Sequence, residues 1–153
     1  MKLFPKPKEK IFFSAEQQSR IVNAIKKAEQ QTSGEVRIFV ESKCSYVDAL
    51  DRAKEIFFNL QMDKTALHNA VLFYIAVDDR QLAIFADDGI HQKAGNDYWF
   101  NTVEVMIQQF QQRHIVDGIT QSVLHIGKAL KYHFPYDHVT DKNELPDDIV
   151  FGK

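Results

Sequence analysis

The chain has 153 residues, 44% of them apolar and 12 of them phenylalanine, which suits one domain with a bulky core and argues against disorder. A formal charge of −2 provides no general pull toward nucleic acid or an anionic membrane. Cys44 is the one cysteine, so there is no internal disulfide framework; it sits in a loop without an evident base and reads as a passive thiol. The longest apolar run, Ala70 to Val77, falls far short of the ~20 residues of a bilayer-spanning helix. The opening MKLFPKPKEKIFF breaks with proline and lysine the apolar stretch a signal peptide needs. A cytoplasmic protein with no membrane-spanning segment is expected.

Residues 1–12, with Lys2, Lys6, Lys8 and Lys10 around Pro5 and Pro7, read as an extended basic arm. Ser14 and Gln17 form a capping box that should open a first helix, with Ile21, Ala24, Ile25 and Ala28 on one face and Thr32-Ser33-Gly34 at its end. Glu35 to Glu41 is β-branched and alternating, the pattern of a strand. Ser45 and Asp48 suggest a second capping box, before an amphipathic helix carrying Tyr46, Ala49, Leu50, Ala53, Ile56, Phe57 and Leu60. Ala70 to Val77 suits a strand covered on both faces. After Asp78-Asp79-Arg80 comes Gln81 to Ala86, the return strand of a hairpin, ended by Asp87-Asp88-Gly89. Trp99, Val103, Met106, Ile107 and Phe110 mark a third helix, with Trp99 and Phe100 expected in the core. Gly118 punctuates, and Ile119, Val123, Ile126, Gly127 and Leu130 mark a fourth helix stopped by Phe134-Pro135.

The order α-β-α-β-β-α-α predicts an α/β fold, a mixed β-sheet with helices packed on it. One domain is expected over residues 13–136, followed by an acidic surface tail over 137–153. If the first two strands are parallel and the third returns, Glu35, Asn69, Asp87 and Asp88 share one sheet edge, with Thr32, Ser33, Thr65 and His91 nearby. Asp78, Asp79 and Glu41 share the other edge, about 26 Å away at ~3.3 Å per residue. The first group draws carboxylate and amide oxygens from three loops, a donor set for the hard cations Ca²⁺ or Mg²⁺. Two readings stand open for Asp87-Asp88-Gly89, an ion loop or a strand end with a glycine turn. Asp78-Asp79 reads as a hairpin turn first and a weaker acidic loop second. His133 and His138 flank Asp137 without a recognisable zinc spacing.

Ser33-Gly34-Glu35-Val36-Arg37, Asn69-Ala70-Val71-Leu72, Asp87-Asp88-Gly89-Ile90 and Asn143-Glu144-Leu145-Pro146-Asp147-Asp148 resemble, in order and interval, the TPM domain family. The resemblance runs from about Phe12 to Asp148. It implies a mixed-sheet α/β sandwich and divalent-ion binding at acidic loops, and the acid phosphatase activity of a plant member. Family motifs often have glycine where Ala70 stands. Many relatives carry a leader or membrane anchor, which the reading above does not find here.

The sequence has no Asp-x-Asp acyl-phosphate motif, no P-loop and no Gly-x-Ser-x-Gly elbow, so phosphatase chemistry would need a metal-activated water. Arg37 and Lys93 are the nearest cations to hold a phosphate. Two functions are therefore expected: a divalent-cation-binding domain that contacts other proteins, or a metal-dependent phosphatase.

Overall fold

The computed structural model describes residues 12–137 and 144–152. The basic arm, Phe12 excepted, and His138 with the rest of 138–143 lie outside the described residues. Helix α1 (Ala15–Glu29) starts at the capping box: Ser14 Oγ accepts the Gln17 N–H at 3.1 Å, and Gln17 Oε1 accepts the Ser14 N–H at 2.9 Å. Its buried stripe is the expected Ile21, Ala24, Ile25 and Ala28.

Strands β1 (Glu35–Glu41), β2 (Ala70–Ala76) and β3 (Gln81–Ala86) form the expected mixed sheet. β1 and β2 are parallel from Glu35↔Ala70, and β2 and β3 are antiparallel from Val71↔Ala86. All seven residues of β2 are buried, as the unbroken apolar run required. Alternation sorts the side chains. Val36, Ile38, Val40, Val71, Phe73, Ile75, Leu82 and Ile84 enter one core with α1, with α4 (Asn96–Gln111) and with α5 (Ile115–His133). Leu72, Tyr74 and Ala83 enter a second core under α2 (Ala49–Asn59).

Five expectations are corrected. Helix α2 begins at Ala49 because Asp48, not Ser45, is its N-cap, its side chain accepting the Leu50 N–H at 2.9 Å. Tyr46 therefore lies outside the helix. Asp87-Asp88-Gly89 opens a short helix, α3 (Asp88–Ala94), which ends at Gly95. Gly95 also starts α4, at φ 84°, a conformation open to glycine. Gly118 breaks nothing: it lies inside α5, where a Cβ would stand 2.8 Å from the Phe110 ring, so its role is close helix packing. The acidic tail, as far as it is described, is part of the domain. Leu145 is buried in the second core, and β4 (Val150–Phe151) pairs parallel with β1, giving the order β3-β2-β1-β4. Phe12 stacks on Phe151 with ring centroids 5.9 Å apart. Phe100 leaves the core, 58% exposed, while Trp99 is buried.

Candidate functional site

The sheet brings Glu35, Asn69 and Asp87 to one edge through the main chain. The Glu35 N–H donates to Asn69 O at 3.3 Å, and the Asp87 N–H donates to Ala70 O at 3.0 Å. Their side chains then find different partners. Asp87 is buried and caps α3, its Oδ1 accepting the Asp88 N–H at 2.8 Å, while Oδ2 faces His68 Nδ1 at 3.4 Å. Asp88 is exposed in the first turn of α3. Asn69 is buried; its Nδ2 donates to Ser33 Oγ at 3.3 Å, and its Oδ1 has no hydrogen-bond partner. Thr32 Oγ1 donates to Phe134 O and accepts the Gly34 N–H, holding the turn into β1. Thr65 is buried, with an Oγ1 that also lacks a partner.

Gly89 explains why α3 can start here. A Cβ at Gly89 would stand 2.3 Å from Leu67 O and 2.5 Å from His68 O, so the helix is pressed against the backbone of the loop leading to β2. Gly89→Ala should destabilise the fold by about 1–3 kcal/mol, the usual cost of forced overpacking. Chemical denaturation of the variant checks this, and a change below about 0.5 kcal/mol would contradict it.

Glu35 meets a second set of carboxylates. Its side chain is buried; Oε1 accepts the Glu144 N–H at 2.7 Å, and no N–H donor reaches Oε2. Glu144 Oε2 accepts the Ala66 N–H at 3.1 Å, tying the C-terminal segment to the loop before β2. Glu29, in the last turn of α1, lies within carboxyl–carboxyl hydrogen-bonding reach of both Glu35 and Asp147. Its Oε1 is buried without a donor. Two carboxyl groups meet in this way only with a proton or a cation between them. Burial first, then contact with Glu35 and Asp147, holds the Glu29 carboxyl well above the usual carboxylate range. Burial also raises Glu35, with Glu144 and Asp147 adding like charge, while the hydrogen bonds from Glu29 and the Glu144 amide pull the other way.

Sequence reasoning missed Glu29, Glu144 and Asp147 as neighbours of Glu35. A signal existed for two of them: Glu144 and Asp147 sit in the C-terminal motif, set aside as surface. Glu29 lies at the end of a helix that the next turn folds back beside β1.

At the other sheet edge, Asp78 and Asp79 are exposed in the β2–β3 turn. Asp79 Oδ2 accepts the Cys44 N–H at 2.8 Å. Glu41, expected with them, is engaged elsewhere: Arg52 grips it through Nε at 2.9 Å and Nη2 at 3.2 Å, and the Tyr74 hydroxyl donates at 2.5 Å. Of the two cations considered for phosphate, Arg37 faces Asp148, and Lys93 Nζ stands 4.9 Å over the Phe134 ring.

Among the described residues, no three histidine, cysteine or acidic side chains form a preassembled metal centre. The oxygens gathered at Glu35 still suit a hard cation in kind, since they are carboxylate oxygens with buried atoms at Glu29 and Glu35 that no N–H donor reaches.

Comparison with known proteins places the chain. No curated protein matches it. The NMR structure of the BA42 protein from the psychrophilic bacterium Bizionia argentinensis is similar at 39% identity and a TM-score of 0.83, over 95% of this chain and 99% of that one. Two further solution structures share the fold. One is the N-terminal domain of the Corynebacterium glutamicum protein cg2496, at 12% identity and a TM-score of 0.60, over 85% of this chain and 88% of that one. The other is an N-terminal domain from P. gingivalis, at 14% identity and a TM-score of 0.60, over 82% of this chain and 83% of that one. The family model described as the TPM domain matches residues 8–129, and the chain belongs to the TPM domain family.

Proposed function

We propose that this TPM domain binds a divalent cation, Ca²⁺ or Mg²⁺, at the Glu35 end of the sheet and acts as an interaction module for other proteins. The supporting observation is the meeting of Glu29 and Glu35, with Asp147 and Glu144 beside them, in a place where a buried carboxylate oxygen lacks any N–H donor. A cation there would take carboxylate oxygens from Glu29, Glu35 and Asp147 and the amide oxygen of Asn69. Bound, it would supply the positive charge that a shared proton supplies otherwise. Asp87 and Asp88 border the same edge and belong to the reading as its rim, Asp87 being held as the cap of α3. The hairpin carboxylates Asp78 and Asp79 are the weaker place for an ion, being exposed, with Asp79 already holding Cys44.

The interaction role is preferred to the phosphatase because this edge gathers carboxylates, while of the two cations considered Arg37 has the Asp148 charge as a neighbour and Lys93 Nζ lies over the Phe134 ring. A phosphate arriving at this edge would meet mainly carboxylates. Thermal unfolding with and without Ca²⁺ or Mg²⁺ tests the cation. At about 100 times its dissociation constant the ion should add roughly 2.7 kcal/mol, and Glu35→Gln should abolish the gain. Wild-type protein with no shift in either ion would end the cation reading. Metal-dependent hydrolysis of p-nitrophenyl phosphate that disappears in Glu35→Gln would favour the phosphatase.

A further inference from the structure

Strand β3 is the outer strand of the sheet, with β2 on one side and no strand on the other among the described residues. Antiparallel register fixes which of its backbone groups face outward. The Asp87 N–H bonds to Ala70 O, so Asp87, Phe85, Ala83 and Gln81 turn their backbone groups toward β2. Leu82, Ile84 and Ala86 turn theirs away. Among the described residues no hydrogen bond is made to these outward groups. Beyond them runs a groove of about 610 Å³, floored by β3 and walled by α2 through Ala49 and Leu50 and by α4 through Trp99, Phe100, Val103 and Ile107.

Helix α2 packs over one face of the sheet and α4 over the other, so the edge of β3 lies between them at the groove floor. Its walls are apolar: Leu50 is 40% exposed and Phe100 58% exposed. Its charged residues are Asp48 and Glu104, which suits an occupant that brings positive charge. His91 lines it as well, with a buried Nδ1 that has no partner.

We infer that the edge of β3 receives an extended segment of a partner protein by strand addition, about six residues long, with apolar side chains flanked by lysine or arginine. Main-chain hydrogen bonds to Leu82, Ile84 and Ala86 would supply register, the apolar walls affinity, and Asp48 and Glu104 the preference for a basic segment. This deepens the interaction half of the reading above and uses none of the carboxylates around Glu35. A failure here leaves the cation response standing, and the reverse.

The chain contains one tryptophan, and it lines this groove. Its emission is therefore the readout. A blocked eight-residue peptide of alternating valine and threonine with lysine at each end should change Trp99 emission saturably. The same peptide with glutamate in place of lysine should bind at least tenfold more weakly. A peptide N-methylated on the backbone amides of its pairing edge should lose binding altogether. Ile84→Pro removes an outward N–H of the edge strand, at the cost of a core side chain, and should abolish the response. Phe100→Glu, at an exposed position, gives a second variant should Ile84→Pro fail to fold. Equal binding of the N-methylated peptide would make the groove a general apolar pocket and overturn the inference. So would the absence of any saturable change. A wild-type dimer in sedimentation that Phe100→Glu dissociates would put a second copy in the groove and overturn it too.

Discussion

Arg52→Ala should destabilise the domain by about 3 kcal/mol, the lower end of what is lost when one partner of a buried ion pair is removed. Arg52 makes two hydrogen bonds to Glu41 and one to Glu55 at 2.6 Å, and its guanidinium lies 5.9 Å from the centre of the Phe39 ring. The Glu41 hydrogen bonds hold its proton more firmly than in a free arginine. Glu41 is buried beneath it, and Tyr74, fully buried, donates to the same carboxylate. Without Arg52, a carboxylate in the second core keeps only that hydroxyl. The Arg52 side chain is 23% exposed, so water reaches part of the gap and the upper end of the range is not expected. Urea unfolding should show a lower midpoint with an unchanged slope. Exchanging Glu41, Arg52 and Tyr74 together for Leu, Met and Phe should recover most of the loss, since apolar packing often replaces a buried polar network at little cost. A loss below 1 kcal/mol for Arg52→Ala alone would mean the pair is solvated and contributes little. Glu41 ends β1 at the edge away from Glu35, so the cation response should survive in every one of these variants.

The placement of Glu41 also shows where sequence reading reached its limit. Alternation along β1 and the unbroken apolar run of β2 set the strands, and the polar break at Asp78-Asp79-Arg80 set the hairpin. The parallel direction of β1 and β2 then follows from the β-α-β connection. What periodicity does not carry is side-chain partnership. Arg52 is eleven residues from Glu41 and meets it because α2 crosses back over the sheet. Tyr74 joins them because alternation puts it on that same face.

The short helix α3 was hidden for a related reason. Asp-Asp-Gly is also a turn signature, and only the approach of Gly89 to the Leu67 and His68 carbonyls shows that the glycine serves contact, not a bend. The C-terminal segment reads as surface because acidic, proline-bearing stretches without periodicity look solvated. Leu145 and two residues of β4 are too short a signal to oppose that. Its docking onto β1 is what brings Glu144 and Asp147 to Glu35, so the error in the fold and the gap in the candidate site have one cause.

Cation affinity should rise steeply with pH, by about tenfold per unit for each proton displaced, or roughly a hundredfold between pH 6 and 8 for one proton. Glu29 and Glu35 both hold protons above their ordinary value of 4.5. Above that value the unfolded chain releases its protons first, while the folded chain keeps more of its own. Stability of the ion-free protein therefore falls as pH climbs from about 4.5 through the raised range, and is fully retained below it with respect to this pair. A divalent ion competes for the same oxygens as the shared proton, so its stabilisation should be small at pH 5 and large at pH 8. Glu29→Gln separates the two effects. The amide can donate a hydrogen bond to Glu35 at any pH, so the ion-free variant should lose most of the downward slope and exceed wild type in stability at pH 8. It should also lose the gain from Ca²⁺, because one carboxylate is gone and the other is already bonded. Midpoints of thermal unfolding from pH 5 to 8, with and without ion, read both effects. Proton release on titrating Ca²⁺ into weakly buffered protein should come to about one per ion. A Ca²⁺ gain that stays constant across this range, or that is larger at pH 5, would place the ion away from Glu29 and Glu35. A downward slope that persists in Glu29→Gln would place the held proton on another group.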